Sequence, residues 1–288
     1  MDAATRKAMY IKTFDTVASG YDNPAMRFFV ESVPHLVDAL DLSGNEKILD
    51  VGTGTGNAAL VIAGRLPDGQ VHGIDFSKGM LARAEAKRAA LGLENLRFSE
   101  MDMHEIEFPD GFFDLVVCCF GLFFVENMTG QLCHMADKVA PGGRVAITSF
   151  GQKVFSPLAD RFLECIERYG VERPPATRKG ADHPQKCRSL FEAAGLVDIT
   201  VFEKDLGYYL PDADQWWEIC WNAGFRGLIE QLPEDRKSAF RKEHLEEINA
   251  LAEKPGLWLN MRVLYTIGIR PDVTNAGGCK DGVAKGLQ

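Results

Sequence analysis

An acidic residue followed by a turn with glycine at alternate positions is the feature of this chain most suited to chemistry. It lies in the run Ile48-Leu49-Asp50-Val51-Gly52-Thr53-Gly54-Thr55-Gly56-Asn57. Such glycines let the backbone approach a nucleotide-containing cofactor above the carboxyl end of a parallel strand. Asn57 replaces the third glycine of the dinucleotide fingerprint G-x-G-x-x-G. Because Asp50 would repel a pyrophosphate but accept hydrogen bonds from an ammonium group, the turn favours a cofactor with an amine over NAD.

Two further acidic residues follow strand-like segments and suit an adenosine group. Asp75 ends the run Val71-His72-Gly73-Ile74-Asp75, where a carboxylate can bind both ribose hydroxyls or can simply cap the helix that follows. Asp102 lies after the next strand-like segment, and together with the backbone N–H of Met103 it can pair with the edge of an adenine. In isolation Asp102 resembles an ordinary loop residue, but its spacing from Asp75 predicts an adenosine-containing cofactor.

The elements that must position these residues alternate between strand-like and helical patterns. Strands are predicted over 47–51, 70–75, 96–99, 113–119 and 144–149, and helices over 57–66, 77–91 and 130–139. This alternation predicts an α/β fold with a mostly parallel sheet covered by helices on both faces.

The second half of the chain has a different pattern. Helices are predicted over 157–169 and 184–194, and two more strands over 198–203 and 261–269. Between those strands, residues 211–258 form a predicted helical cap insertion that opens with Asp212 as its N-cap. Residues 1–270 are predicted to form a single domain, and the glycine-rich residues 271–288 a disordered tail.

The composition favours a small molecule as the partner. The chain has 288 residues, of which 46% are apolar, and a formal net charge of −9. Without a basic run it has no electrostatic footprint for nucleic acid, and no stretch is long enough to span a membrane. The seven cysteines include no C-x-x-C pair, so no metal site is predicted. Such scattered cysteines, together with an N-terminus that lacks an apolar signal segment, predict a cytoplasmic protein.

The order of these motifs resembles that of the class I S-adenosylmethionine-dependent methyltransferases, in particular the small-molecule methyltransferases similar to those of ubiquinone and menaquinone biosynthesis. The resemblance covers residues 10–204 and rests on five segments. They are Phe14-Asp15-Thr16-Val17-Ala18-Ser19-Gly20-Tyr21-Asp22, the glycine turn at 50–56, the ribose motif at 75–81, the adenine motif at 102–114, and residues 132–144 with their Pro-Gly-Gly turn.

The resemblance implies a doubly wound, seven-stranded, mostly parallel sheet in which the two late strands form a reversed edge. It identifies the cofactor as S-adenosylmethionine. Residues 1–40 are predicted to be an N-terminal lid segment, because an apolar and aromatic segment there must open for the cofactor to enter. Gly52 and Gly54 would pass beneath the methionyl part of the cofactor, Tyr21 would close over it, and Phe76 or Met80 would pack on the adenine. The full set of cofactor-binding residues is Tyr21, Asp50, Gly52, Thr53, Gly54, Gly56, Asp75, Phe76, Met80, Asp102, Met103, Cys119 and Phe120.

The acceptor side of the site is predicted to be apolar. Many relatives carry histidines after the fourth strand, whereas this chain reads Phe120-Gly121-Leu122-Phe123-Phe124-Val125. An apolar rim suits an apolar or planar acceptor, which the enzyme would methylate by in-line displacement. The predicted acceptor-binding residues are Phe14, Phe123, Trp217 and Trp221, although the two tryptophans stand at a helical spacing that also suits ordinary packing. His104, His134 and His183 are candidate bases, and none has a decisive sequence context.

Three alternatives remain at this point. A metalloid or thiol S-methyltransferase would need convergent thiolates, but Cys118 and Cys119 are adjacent on a strand and point to opposite faces. A non-catalytic S-adenosylmethionine-binding module is compatible with the missing histidines. A NAD-dependent oxidoreductase is opposed by Asp50 and Asn57.

Overall fold

The central sheet has seven strands in the order β3-β2-β1-β4-β5-β9-β6. The structure, a computed structural model, describes residues 3–172 and 180–272. Six strands are parallel, and β9 runs antiparallel to both of its neighbours, β5 and β6. The strands are β1 (Lys47–Val51), β2 (Gln70–Asp75), β3 (Leu96–Glu100), β4 (Phe113–Cys119), β5 (Val139–Phe150), β6 (Val197–Asp205) and β9 (Arg262–Ile269). The predicted seven-stranded, mostly parallel sheet with a reversed edge formed by the two late strands is confirmed, and β9 is the strand that runs in the reverse direction.

Helices cover the sheet and form the insertion between β6 and β9. They are α1 (Ala3–Val17), α2 (Phe28–Leu40), α3 (Asn57–Ala63), α4 (Lys78–Leu91), α5 (Met128–Lys138), α6 (Leu158–Arg168), α7 (Pro184–Ala193), α8 (Ala213–Asn222), α9 (Arg226–Ile229) and α10 (Glu234–Asn249). No helix in the described ranges combines the length and the apolar character that crossing a membrane requires.

Local sequence chemistry explains where the principal helices begin and end. Ser77 accepts a hydrogen bond from the backbone N–H of Met80 and so caps α4, which ends at Gly92 in a left-handed conformation with φ 65°. Asp212 caps α8 in the same way through the N–H of Gln215. Each cap satisfies a backbone group that the helix leaves without a partner.

A small two-stranded antiparallel sheet lies at the base of the cap insertion and was not predicted. It pairs β7 (Tyr208–Leu210) with β8 (Leu257–Leu259). Strands of three residues are too short to show an alternating pattern, so β7 and β8 are not distinguishable from their neighbours in sequence. The pairing brings the two ends of the insertion together.

The apolar core is continuous from the sheet into the cap insertion. Trp216 of α8 and Phe240 of α10 are fully buried in the same hydrophobic cluster as Leu115 and Val116 of β4. Phe155 connects the two regions, with its ring centroid 5.7 Å from Phe150 and 6.1 Å from Trp216. The predicted tail lies almost wholly in residues 273–288, outside the described residues.

Candidate functional site

The glycine turn after β1 forms an open cradle at the carboxyl end of the sheet. Gly52 and Gly54 have φ values of 67° and 56°, which favour glycine. Apart from chain neighbours, a Cβ added at either position would meet no described atom within 4 Å. Thr53 donates its backbone N–H to the carbonyl of Ile74 at 2.9 Å, which ties the turn to β2. The cradle has room for a ligand directly against the backbone.

Asp50 lies buried beneath this turn and has an unused acceptor atom. Its Oδ2 accepts a hydrogen bond from Thr53 Oγ1 at 2.7 Å, while Oδ1 has no partner among the described residues. Burial raises the pKa of the Asp50 carboxyl to about 6. A buried carboxylate oxygen without a donor is costly. The cationic amine of a cofactor would supply the missing donor, so this residue fits S-adenosylmethionine.

Asp75 connects the ends of β1 and β2. Its Oδ2 accepts from the N–H of Gly54 and its Oδ1 from the N–H of Ser77, each at 2.9 Å. Burial raises the pKa of Asp75, although these two N–H groups stabilise its charged form. The carboxylate is therefore held rigidly beside the glycine turn, and the lone pairs that remain on each oxygen can accept further hydrogen bonds.

Asp102 lies at the end of β3 and contacts the N-terminal helix. Its Oδ1 accepts from the backbone N–H of His104 at 2.9 Å and lies 2.8 Å from His104 Nδ1. Its Oδ2 forms an ion pair with Lys7 of α1. Burial opposes ionisation, but the His104 and Lys7 contacts lower the pKa of Asp102 below its ordinary value. Met103 is buried, and its carbonyl accepts from Gln131 Nε2 at 2.7 Å.

The N-terminal segment packs across the ends of β1 and β2. Asp15 Oδ1 accepts from Ser77 Oγ at 2.6 Å and from the N–H of Gly79 at 2.9 Å. The Phe14 ring lies 6.3 Å from the ring of Tyr21 and 6.1 Å from that of Phe76. Met80 is buried in a small cluster with Val17, Ala18, Phe14 and Tyr21. The structure thus brings together four of the predicted site residues: Phe14, Tyr21, Phe76 and Met80.

Five phenylalanines, here called the aromatic cluster, lie where β4 and β5 end and α2 begins: Phe29, Phe120, Phe123, Phe124 and Phe150. Neighbouring ring centroids are 4.7–5.4 Å apart. The cluster reaches α1 through Phe14, 5.3 Å from Phe124, and the N-terminal segment through Tyr21, which stacks on Phe29 at 5.1 Å.

The end of β4 is strained. Phe120 has a φ of 55°, a left-handed conformation that a bulky side chain rarely adopts, and its N–H donates to the Thr148 carbonyl at 3.0 Å. Strain of this kind concentrates at functional sites. Cys119 beside it is half-buried, and burial raises the pKa of its thiol well above the ordinary value. Cys119 therefore remains a neutral thiol at physiological pH.

Trp217 and Trp221 lie elsewhere in the cap insertion. Their rings stack on each other at 6.0 Å, and Trp217 lies 6.1 Å from Phe240 of α10. Arg226 covers Trp221 at 4.2 Å. Within the described residues, neither tryptophan has a ring contact with the aromatic cluster. Trp216, their neighbour, is the residue that approaches it, through Phe155.

None of the three candidate histidines lies free in the site. His104 pairs with Asp102. His134 Nε2 accepts the N–H of Ile106 at 3.2 Å, and burial lowers the pKa of this histidine. His183 Nδ1 accepts from the N–H of Gln185 at 3.2 Å and so caps α7. Each of these histidines therefore has a local structural partner.

Two acidic residues and one lysine that connect the N-terminal segment, α4 and the glycine turn were not predicted as functional residues. Asp15 holds α1 on α4, and Asp22 accepts from Thr55 Oγ1 at 2.7 Å on the glycine turn. Lys87 of α4 donates to Asp22, Thr55 and Asn57 at 2.8–3.1 Å. The available signal was that an aspartate directly follows Phe14 and another directly follows Tyr21. Nothing in the sequence distinguishes Lys87 from other helix lysines.

A cluster of possible metal ligands lies between α6 and α10, but its protonation argues against a cation. Cys165, His244 and Glu247 place their ligand atoms within 4.8 Å of one another. Trp216 Nε1 donates to His244 Nε2 at 2.8 Å, so the proton of the neutral imidazole lies on Nδ1. Burial lowers the pKa of His244 to about 4 and raises that of the Cys165 thiol to about 12. A ring N–H offers no lone pair to a cation, so the tautomer that Trp216 fixes argues against a metal ion bound to His244.

Similarity to known proteins agrees with this geometry. Residues 48–143 match a methyltransferase domain family. The chain is 32% identical to the aklanonic acid methyltransferase DauC of Streptomyces sp. (strain C5), over 61% of this chain and 81% of that protein. It is 38% identical to the demethylmenaquinone methyltransferase of Bacillus cytotoxicus, over 56% of this chain and 74% of that protein.

Solved structures share the fold. The YcgJ protein of Bacillus subtilis superposes with a TM-score of 0.57 at 19% identity, over 84% of this chain and 99% of that one. Phosphoethanolamine N-methyltransferase 2 of Haemonchus contortus, in complex with S-adenosyl-L-methionine, superposes with a TM-score of 0.55 at 16% identity, over 90% and 57%. The fold, the family match and these relatives together show that the chain belongs to the class I S-adenosylmethionine-dependent methyltransferases, as an enzyme that methylates a small molecule.

Proposed function

We propose that this enzyme transfers the methyl group of S-adenosylmethionine to a planar, apolar small molecule by in-line displacement. The aromatic cluster carries the proposal, because it lines the end of β4 beside the glycine turn with five phenylalanine rings. Aromatic rings contact a planar apolar ligand over a large area and keep water out. The net charge of −9 supports a small molecule rather than nucleic acid as the acceptor.

Most of the predicted cofactor-binding residues lie at the ends of three strands, and each group would bind a different part of the cofactor. Asp50 Oδ1 would accept a hydrogen bond from the ammonium group, and the backbone at Gly52, Thr53, Gly54 and Gly56 would lie beneath the methionyl part. Asp75 would bind the ribose hydroxyls. When bound, S-adenosylmethionine supplies an electrophilic methyl group on a sulfonium. The unused oxygen of Asp50 and the open space above Gly52 and Gly54 support this assignment.

The adenine would lie between the end of β3 and the start of α4. Asp102 and the Met103 backbone would pair with its edge, while Phe76 and Met80 would pack on its ring. Asp102 Oδ2 is paired with Lys7, so the adenine amine would share or displace that contact. Cys119 and Phe120, at the end of β4, would lie next to the reacting methyl group.

The aromatic cluster would orient the acceptor and exclude water from it. Orientation of two reactants can supply about 7–11 kcal/mol of a barrier of this kind. Phe120, Leu122 and Phe123 are all less than 10% exposed, so these three side chains after β4 are shielded from solvent. Rim residues 120–125 include no ionisable side chain.

We assign residues 1–40 to a lid and residues 211–258 to a cap over the acceptor. The contacts of α1 support the lid, since Lys7 reaches Asp102 of the adenine motif while Asp15 and Phe14 reach the ribose motif at 75–81. The cap is supported by the ring contacts from Trp216 through Phe155 to Phe150. A lid of this kind must open for the cofactor to enter.

The relatives support a planar acceptor. Their names state that DauC methylates aklanonic acid and that the Bacillus cytotoxicus enzyme methylates demethylmenaquinone, a quinone. The thiol and metalloid alternative has less support, because Cys165, Cys187 and Cys220 lie on three different helices, and among the described residues no cluster of metal ligands contains two cysteines.

Transfer of labelled methyl groups tests the proposal. Wild-type protein is incubated with methyl-labelled S-adenosylmethionine and either a hydroxylated naphthalene or phosphoethanolamine, and we expect label in the naphthalene product alone. Phe123→Ala removes a ring of the cluster and should lower kcat/KM for the naphthalene by at least about tenfold without changing cofactor affinity. Phe112→Ala is the matched control, because Phe112 is 44% exposed and precedes β4 at the opposite end of the sheet.

Two results would contradict the proposal. One is methylation of phosphoethanolamine as efficient as that of the naphthalene. The other is a Phe123→Ala variant as active on the naphthalene as the Phe112→Ala variant.

A further inference from the structure

Helix α8 of the cap insertion presents three distinct faces. Trp216 and Cys220 are buried toward the core, and Trp217 stacks on Trp221 beside α10. Glu218 and Asn222 stand four residues apart on the remaining face, which meets the N-terminal segment. That face is polar, although the aromatic residues Tyr21 and Phe29 lie close by in the N-terminal segment.

The Glu218 carboxylate is held in place by two amide groups. Asn23 Nδ2 and Asn222 Nδ2 both donate to Glu218 Oε2, each at 2.9 Å. Asn222 also donates to the Glu218 carbonyl at 3.0 Å. A Cβ at Gly20 would collide with Asn222 Oδ1, so glycine at that position lets the cluster close. These contacts fix one carboxylate oxygen and leave Oε1 with no hydrogen bond from any described residue.

Among the described residues, no cation balances this carboxylate. Glu218 forms no ion pair within residues 3–172 and 180–272. It is only partly exposed, and its two donors are neutral. The free Oε1 is suited to accept a hydrogen bond or a proton from a bound molecule.

The position of Glu218 connects it to the proposed acceptor site. Asn23 follows Tyr21 and Asp22 in the chain, and within these three residues the N-terminal segment makes three contacts. Tyr21 stacks on Phe29 of the aromatic cluster at 5.1 Å. Asp22 accepts from Thr55 on the glycine turn, and Asn23 donates to Glu218. The carboxylate therefore connects the cap to the lid at Asn23, two residues from the tyrosine that stacks on the aromatic cluster.

Resting on the proposed function, we propose that Glu218 binds the hydroxyl group of the acceptor and takes its proton. The acceptor oxygen forms a bond to the methyl carbon as the carbon–sulfur bond breaks, with that bonding pair left on sulfur. The hydroxyl proton moves to Glu218 Oε1 and then to solvent. Asn23 and Asn222 are positioning residues, since they orient the carboxylate through Oε2. The cap thus supplies the base that is absent from the rim after β4.

Comparison of two acceptors that differ in acidity tests this role. One is a naphthol whose hydroxyl stays protonated at the assay pH, and the other is a nitro-substituted naphthol that is already ionised. Glu218→Gln keeps the shape and the acceptor oxygen for both asparagines but cannot take a proton. We expect it to lower kcat for the protonated acceptor by about 10²-fold or more, and to leave kcat for the ionised acceptor within about threefold.

Asp214→Asn is the matched control, because Asp214 lies one turn earlier on α8 and pairs with Arg241 at the surface. It should leave both rates unchanged. If Glu218→Gln lowers kcat equally for both acceptors, the role of Glu218 is purely structural. If it lowers kcat for neither, the carboxylate takes no part in the reaction. Each result would overturn the assignment. If the wild-type enzyme methylates neither naphthol, the proposed function itself is contradicted, and so is the role of Glu218 that depends on it.

Discussion

At the scale of one residue, the buried Asp50 carboxylate lowers the folding stability of the free protein and offers an acceptor for cofactor binding. Its Oδ1 is buried without a described partner, and burial raises the pKa of the carboxyl from 3.8 to about 6. Below 3.8 the carboxyl is protonated in both folded and unfolded chains and costs nothing. Between about 3.8 and 6 the unfolded carboxyl ionises while the folded one keeps its proton, so stability is lost across this window and the loss is complete above about pH 6.

Asp50→Asn should therefore stabilise the free protein and abolish tight cofactor binding. At pH 8 the expected gain in the free energy of unfolding is about 3 kcal/mol at most, and it should shrink toward zero as the pH approaches 3.8. Thermal melts between pH 4.5 and 8, with and without S-adenosylmethionine, measure both effects. Asp68→Asn, an exposed control, should change neither. A variant less stable than wild type at pH 8 would contradict this account of Asp50.

At the scale of elements, the strands that carry the site were the easiest to predict. The bounds predicted for β1, β2 and β4 agree with the structure, because short apolar runs bounded by turn residues suit strands buried on both faces. The start of β5 was predicted five residues late, since its Pro-Gly-Gly segment looks like a turn. In the structure Gly142 and Gly143 exchange backbone hydrogen bonds with Arg270 at 2.8 Å, which extends the ladder.

The candidate site was predictable where it depends on strand ends and not where it depends on distant contacts. Asp50 and Asp75 lie at the carboxyl ends of β1 and β2, and Asp102 follows β3. The carboxyl ends of these parallel strands must lie at one edge of the sheet. Asp15 is 62 residues from its partner Ser77, and Asn23 is 195 residues from Glu218. Such pairs follow from the packing of α1 and the cap insertion onto the sheet, which no local pattern encodes.

At the scale of the whole molecule, the cap insertion and the sheet share one apolar core. Trp216, Phe240 and Ile248 belong to the same cluster as Leu115 and Val116. A shared core couples the stability of its parts, because neither part keeps its buried surface without the other. We therefore propose that the described chain folds as a single domain.

The distribution of tryptophan makes this proposal testable with two optical probes. All four tryptophans, at positions 216, 217, 221 and 258, lie in the cap insertion. Tryptophan fluorescence therefore reports unfolding of the cap, while far-UV circular dichroism reports the whole chain. We expect both signals to change at the same urea concentration. Midpoints that differ by more than the fitting error would show that the cap unfolds separately and is a domain of its own.

The central claim is that the cofactor binds against the glycine turn, and a substitution at Gly52 tests it most directly. Gly52 and Gly92 have nearly the same φ, 67° and 65°, and a Cβ at either would meet no described atom within 4 Å apart from chain neighbours. Gly52→Ala and Gly92→Ala should therefore cost the same stability, about 1 kcal/mol, through backbone strain alone. Only Gly52→Ala places its methyl group in the proposed cofactor cradle.

Calorimetric titration of wild type and both variants with S-adenosylmethionine is the measurement to make. The account predicts that wild type and Gly92→Ala bind with the same Kd and that Gly52→Ala binds at least about tenfold more weakly, a loss of about 1.4 kcal/mol. Equal affinity in Gly52→Ala and Gly92→Ala would contradict it, because the cofactor would then not lie against this turn.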